Sequence, residues 1–162
     1  MNPTRFSRQV EDVLLRAGWS PTRRADISKW VRLLTQIGHF RIFPSAEIVL
    51  SEFGGINVYQ HDAGIECARE SFEINPLVAQ GCESEFRRAE AVVTDKLFPL
   101  GEVVGGQAFL AIGESGSVYY FMETIGLVGH SFDEAVTRLI EGRLPLRVWD
   151  VDITVPPELD SH

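Results

Sequence analysis

The stretch 99–122, PLGEVVGGQAFLAIGESGSVYYFM, places the strongest constraint on what this chain can fold into. Two apolar runs, residues 108–112 and 118–122, flank a short connector that runs from Gly113 to Gly116. β-Branched and aromatic residues around a Gly-bounded loop of this length are typical of a β-hairpin. Both runs are almost continuously apolar, whereas edge strands carry more charge. The pattern therefore predicts a hairpin in the middle of a sheet, with cover on both faces.

Helical periodicity appears on either side of this hairpin. Apolar residues recur at helical spacing in five segments, which predicts helices over residues 6–17, 27–37, 46–53, 83–97 and 132–140. Gly18, Gly38 and Gly142 are expected to end three of them. Ser131 and Glu134 have the spacing of a capping box, so the last helix should begin directly after Ser131.

Short strands are predicted at residues 56–59, 71–74, 125–128 and 146–149, with a loop over residues 61–69 and one helical turn after Pro76. Helices come first, strands are grouped in the middle and a helix returns late. This order indicates an α+β fold, a single domain whose mainly antiparallel central sheet is covered by the N-terminal helices and a late C-terminal helix. We expect the domain to occupy residues 1–150, followed by an acidic, frayed tail over residues 151–162.

Length and composition fit one globular domain. The chain has 162 residues, 44% of them apolar, which is enough to build a core. No window approaches the ~18–20 consecutive apolar residues of a membrane span, and the N-terminus lacks the pattern of a signal peptide. Cys67 and Cys82 have no CxxC spacing, so reduced thiols are expected. These features predict a cytoplasmic protein that is not bound to a membrane.

The formal net charge is −8, from 23 acidic and 15 basic residues. This balance disfavours direct nucleic-acid binding, which requires Lys and Arg to displace counterions from phosphates. Two interpretations remain open. The acidity serves solubility, or it attracts a basic partner.

No constellation of catalytic residues is visible in the sequence. The four histidines lie in different segments and form no HExxH pair: His39, His61, His130 and His162. Gly101, Gly105 and Gly106 are not followed by GKS or GKT, so turns and a bulge explain them better than a phosphate loop. The sequence predicts no enzymatic activity, no metal and no cofactor.

Six short motifs resemble, in the same order, those of the SUKH superfamily, and in particular its third subfamily of bacterial immunity proteins. They are LRAGWSPTR at 15–23, LSEFGGI at 50–56, FEINP at 72–76, FPLGE at 98–102, the hairpin segment 112–119 and the closing helix 129–142. Two positions depart from the family pattern, because Gly113 stands where Asp is common and Asn75 replaces Asp before Pro76.

The resemblance implies a SUKH-like fold and a non-enzymatic, cytosolic antitoxin that binds and neutralises a cognate polymorphic bacterial toxin, often a nuclease. A regulatory or scaffold module without a toxin partner is the alternative. For an immunity protein, we expect a basic toxin that contacts acids in loops and at helix starts. The alternative for each acid is that it belongs to a solvated surface. These candidate partner-binding residues are Asp62, Glu66, Glu70, Glu83, Glu85 and Glu114.

Overall fold

The computed structural model of the protein describes residues 5–103 and 107–153, and it has a seven-stranded antiparallel sheet with five α-helices. The predicted α+β class is therefore confirmed. The turn expected at Gly105 and Gly106 lies outside the described residues, as do residues 154–162 of the predicted tail.

The helices are α1 (Arg8–Arg16), α2 (Ser28–Arg32), α3 (Pro44–Phe53), α4 (Glu83–Val93) and α5 (Phe132–Glu141). α2 continues into a π-helical turn, Leu33–Ile37, and a 3-10 turn covers Pro76–Ala79. The cap of α5 is as predicted, since Ser131 Oγ accepts a hydrogen bond from the Glu134 N–H at 3.1 Å. No helix within the two described ranges is long and apolar enough to cross a membrane.

The strands are β1 (Asn57–Val58), β2 (Phe72–Glu73), β3 (Leu97–Val103), β4 (Ala108–Gly113), β5 (Val118–Phe121), β6 (Ile125–Gly129) and β7 (Arg147–Trp149). Their order across the sheet follows the order along the chain, and every neighbouring pair is antiparallel. β4 and β5 are the fourth and fifth strands. The predicted hairpin is confirmed, and it is central.

Both faces of this hairpin are covered. Phe109 lies opposite Phe121, and both rings contact Phe86 of α4, with ring centroids 5.3 and 4.8 Å away. Successive side chains of a strand alternate between faces, so Leu110 and Tyr120 point to the other side. Tyr120 lines a cavity there together with α5 residues. The sheet is therefore packed between α4 and a second helical layer.

Aromatic residues hold this second layer together. Phe53 of α3 stacks on Trp19 at a centroid distance of 6.0 Å and contacts Phe132 of α5 at 4.5 Å. Arg5 binds Asp133 of α5 with two hydrogen bonds of 2.6 and 2.8 Å and Glu52 of α3 with one of 2.6 Å. The segment before α1 is thus tied to α3 and α5.

The helix predicted over residues 83–97 extends too far, because the sequence after Val93 forms a short loop and then the start of β3. α4 ends at Val93 because Thr94 takes a left-handed conformation, with φ 55°. Leu97 begins β3. Gly101, expected in a turn, lies inside this strand beside a bulge, where its lack of a side chain lets the backbone of Glu73 approach.

Two details of the predicted helices are also wrong. Ile37 is the last apolar position of the pattern that predicts the helix over residues 27–37, yet it is 68% exposed, because the π-helical turn adds a residue and rotates the end of the helix. Ser45 precedes the predicted helix over residues 46–53, but it lies inside α3 and donates a hydrogen bond to the Gly113 carbonyl at 3.0 Å.

Candidate functional site

Three of the six candidate partner-binding acids lie in one surface loop between β1 and β2. This segment, residues 61–70, is called the acidic loop below. Ala63 and Ala68 form an isolated β-bridge across it, and the Gly64 N–H donates to the Cys67 carbonyl at 2.9 Å. Asp62 at its start pairs with Arg69 near its end, at 3.1 Å. The loop therefore has a fixed shape of its own.

The C-terminal end of α5 anchors the tip of the acidic loop. The N–H groups of Glu66 and Cys67 both donate to the Gly142 carbonyl, at 2.8 and 2.9 Å. The Glu66 carboxylate in turn accepts the Leu144 N–H at 3.2 Å. Gly142 has φ +70°, and a Cβ there would lie 2.7 Å from the Cα of Gly64. This close approach requires glycine at both positions.

Arginines neutralise much of the charge of this loop. The Glu66 carboxylate lies 3.8 Å from Arg138 and 3.9 Å from Arg143. Arg143 also pairs with Glu141 at 2.9 Å. Glu70, by contrast, forms no ion pair within residues 5–103 and 107–153. Its carboxylate is the least compensated of the three loop acids.

Two further candidates lie in the first turn of α4. Glu85 pairs with Arg88 at 3.8 Å, one helical turn further on. The Glu83 carboxylate lies over Gly38, with Oε1 3.1 Å from where a Cβ of residue 38 would stand. Both side chains are half-buried. They are less available to a partner than their helix-start position predicted.

The last candidate, Glu114, is exposed in the connector of the central hairpin and makes no ion pair in the described part of the chain. Its N–H donates to the Lys96 carbonyl at 2.8 Å. The next residue, Ser115, donates to Asp95 through both its N–H, at 3.3 Å, and its hydroxyl, at 2.5 Å. The connector is thus held in place from the loop that follows α4.

Asp95 was not singled out in the sequence, yet it organises this end of the sheet. Its carboxylate also accepts a hydrogen bond from the Tyr119 hydroxyl at 3.0 Å. Burial, and secondarily the bond to Asp95, raises the pKa of Tyr119 from 10.0 to about 12. A Cβ at Gly113 would overlap the Asp95 carboxylate. Glycine at position 113 therefore leaves room for the Asp95 carboxylate.

The structure distributes the six acids over three separate elements: the acidic loop, the start of α4 and the hairpin connector. Asp62, Glu66 and Glu85 have arginine partners, whereas Glu70, Glu83 and Glu114 form no ion pair with described residues. Whether any of them contacts a partner stays a prediction.

Exposed apolar side chains beside the acidic loop were missed in the sequence. Ile65 at the loop tip is exposed, as are Leu144 and Leu146 after α5. A cavity of about 280 Å³ opens beside them, lined by Glu70, Tyr120 and other residues. Large apolar side chains in a polar loop were the available signal, but an exposed Ile or Leu is common enough on its own to escape notice.

A second, open groove of about 580 Å³ lies between α1 and the edge strand β1. Val13, Ala17 and Val58 line it together with polar residues that include Asp62 and Arg69. Tyr59 in its wall is 84% exposed. The acidic loop therefore borders two concave surfaces.

The histidines and cysteines at positions 5–103 and 107–153 are not assembled into a reactive site. His39, His61 and His130 are exposed on different segments. Burial, followed by the nearby charges of Glu66 and Glu70, raises the pKa of the Cys67 thiol, which makes it a poor nucleophile at neutral pH. Within residues 5–103 and 107–153, no group of three or more His, Cys, Asp or Glu side chains is placed to hold a metal ion.

A family model described as SUKH-3 immunity protein matches residues 6–142, which is most of the chain. Searches of curated proteins and of solved structures found no significant match.

Proposed function

The chain belongs to the SUKH-3 immunity protein family, and from this premise we propose that it binds a cognate polymorphic bacterial toxin and neutralises it without catalysing a reaction. The family match over residues 6–142 carries the proposal. We further propose that the protein acts in the cytoplasm. The absence of a membrane-spanning helix among the described residues fits this location.

We propose that the toxin is basic, and that it is a nuclease. A nuclease needs a basic surface for its phosphate-rich substrate, and an acidic inhibitor can occupy the same surface. The net charge of −8 supports this pairing. Opposite charge on the two proteins would also speed their association.

Glu70 and Glu114 are the strongest candidates for toxin contacts among the six acids. Both are exposed and form no ion pair within the described ranges, so neither has to break an internal contact to meet a lysine or arginine. Asp62, Glu66 and Glu85 would exchange one arginine for another, and such an exchange contributes little net energy.

The acidic loop also offers the apolar contact that a stable interface needs. Protein interfaces combine an apolar centre with a polar rim. Ile65 is exposed on the acidic loop, and Leu144 is exposed on the segment after α5. Glu66 joins these two segments through hydrogen bonds of its carboxylate and its N–H, and Glu70 lies on the same loop. We therefore propose that the toxin docks on the acidic loop and on the segment that follows α5.

The test is capture from the native cell followed by a growth assay. The full chain is immobilised, a native lysate is passed over it, and each retained protein is identified and then expressed alone in a bacterial host. We expect one retained protein to stop growth and co-expression of this chain to restore it. Retained proteins that are harmless, or a toxic one that this chain does not counteract, would favour a regulatory module instead.

A further inference from the structure

A cavity of about 170 Å³ opens on the side of the molecule where the segment after the π-helical turn meets α4. The aromatic rings of Phe40 and Phe86 line it and contact each other edge to face, with centroids 5.1 Å apart. The charged residues around it are Arg41, Glu83, Arg87, Glu90 and Lys96. We call this the basic groove.

The cationic side chains of the groove have no partner in the described part of the chain. Arg41, Arg87 and Lys96 are exposed, and none of their side chains forms a hydrogen bond or ion pair with residues 5–103 or 107–153. The protein has an acidic excess and a net charge of −8. In such a chain, cations that converge on one cavity without carboxylate partners indicate a site for an external anion.

Of the two acids of the groove, Glu90 is engaged by a backbone N–H group and Glu83 lies beside Gly38. Glu90 Oε2 accepts the Leu97 N–H at 2.9 Å. The Glu83 carboxylate lies over Gly38, where a Cβ would stand 3.1 Å from Oε1. Three cations against two acids leave the groove with a positive excess.

The backbone at the rim of the groove is irregular. His39 lines the cavity and has φ 60°, a left-handed conformation that glycine would adopt without steric penalty. It lies two residues after the π-helical turn, and the Phe40 N–H donates a hydrogen bond to the Leu34 carbonyl at 2.8 Å. Strained residues and π-helical turns concentrate at functional sites, so this is a second observation at the same place.

We infer that the basic groove binds one small oxyanion, a phosphate or a carboxylate, held by Arg41, Arg87 and Lys96. The planar guanidinium groups match the paired oxygens of either anion, and the ammonium group adds a third cationic donor. The cavity of about 170 Å³ is large enough for one such group. The anion has two possible sources, a free phosphate compound or an acidic side chain of a bound protein.

The test is a two-dimensional amide NMR titration of the full chain with inorganic phosphate, and separately with acetate, at constant ionic strength set with sodium chloride. We expect saturable shifts at residues 39–41, 83–90 and 96–97. Arg87→Ala and Lys96→Ala should each weaken phosphate binding about ten-fold or more, since each removes a charge-assisted hydrogen bond. Arg8→Ala and Lys29→Ala are the matched controls, because these exposed cations also lack partners among described residues and lie outside the groove. They should change the affinity less than two-fold.

Comparison of phosphate with acetate distinguishes the two possible sources of the anion. Phosphate binding far tighter than acetate binding indicates a phosphate compound, whereas comparable binding indicates a carboxylate from a bound protein. Shifts that do not saturate, shifts that chloride reproduces, or equal affinity in Arg87→Ala and Lys29→Ala would overturn the inference. No toxin is used, so the outcome is independent of whether the proposed immunity function holds.

Discussion

At the scale of single residues, Asp95 has the largest influence on the part of the surface that carries Glu114. Its carboxylate accepts hydrogen bonds from the Ser115 N–H, the Ser115 hydroxyl and the Tyr119 hydroxyl. These bonds fix the hairpin connector relative to the end of α4. An exposed acid on a fixed turn loses little conformational freedom when a partner binds it.

The raised pKa of Tyr119 predicts a loss of stability at alkaline pH. The pKa is 10.0 for a free tyrosine side chain and about 12 in the folded protein. The pKa of Tyr119 is higher in the folded state than in the unfolded state. The contribution of Tyr119 to the free energy of unfolding is therefore complete below pH 10 and is lost as the pH rises from 10 to 12. In Tyr119→Phe this loss should be absent, and at pH 8 the variant should be about 1–2 kcal/mol less stable for want of the bond to Asp95.

Urea unfolding between pH 8 and pH 12 measures this effect. Tyr59→Phe is the control, since the Tyr59 side chain is 84% exposed. An alkaline stability loss of the same size in wild type and in Tyr119→Phe would contradict the assignment.

A side chain at position 113 would overlap the Asp95 carboxylate, so we expect substitutions at these two positions to compensate each other. Gly113→Asp should destabilise the protein by about 1–3 kcal/mol, because the new side chain overlaps the Asp95 carboxylate and carries the same charge. Adding Asp95→Ser vacates that space and should recover most of the loss. Urea midpoints of the two single variants and the double variant measure the coupling. Additive effects would show that the two positions do not share one carboxylate site.

The sequence predicted the exposure of the acids better than it predicted their pairing. Asp62, Glu66 and Glu114 are exposed, as turn and loop positions suggest. The arginines that neutralise Glu66 come from α5 and from the segment that follows it, far away in the chain. Such pairs depend on the tertiary fold, which periodicity does not encode.

At the scale of secondary-structure elements, local chemistry predicted the helix ends that carry their own signal. Ser131 caps the start of α5 and Gly142 caps its end, as the sequence predicted. β3 was missed, because Pro99 and Gly101 are turn signals in isolation and only pairing with β2 and β4 makes the segment a strand. Thr94 ends α4 without the glycine that usually marks such an end.

The central hairpin should dominate the stability of the fold. Leu110 and Ile112 are almost fully inaccessible to solvent, so Leu110→Ala or Ile112→Ala should cost about 2–5 kcal/mol each. Leu144→Ala is the matched control for Leu110→Ala. Its side chain is 53% exposed, and the change should stay within about 0.5 kcal/mol. Chemical denaturation gives both values, and a loss below 1 kcal/mol at both hairpin positions would contradict the central placement.

At the scale of the whole molecule, the sheet is a simple meander with α4 on one face. The second helical layer, held together by aromatic side chains, covers the other face. β1 and β7 form its two edges, and the acidic loop and the segment after α5 lie next to them in the chain. A rigid sheet with loops at its margins is a common way to present a binding surface.

If the acidic surface steers a basic toxin, its effect should appear in the association rate. Glu70→Lys and Glu114→Lys should each slow association with the captured toxin and reduce its salt dependence, while dissociation changes less. Asp12→Lys makes the same change of net charge on the exposed face of α1, outside the candidate surface. Surface plasmon resonance at several salt concentrations compares the three variants with the wild type. Equal rates for all four proteins would mean that the acids serve solubility.

Titration of the toxin's activity decides whether this chain neutralises a toxin by binding it. The activity of a fixed amount of the captured toxin is measured as the purified chain is added in increasing amounts. Tight, non-catalytic binding predicts a linear fall that ends at a fixed molar ratio, with no further change beyond it. Toxin activity that persists at a large molar excess, or that disappears with far less than one chain per toxin molecule, would contradict it.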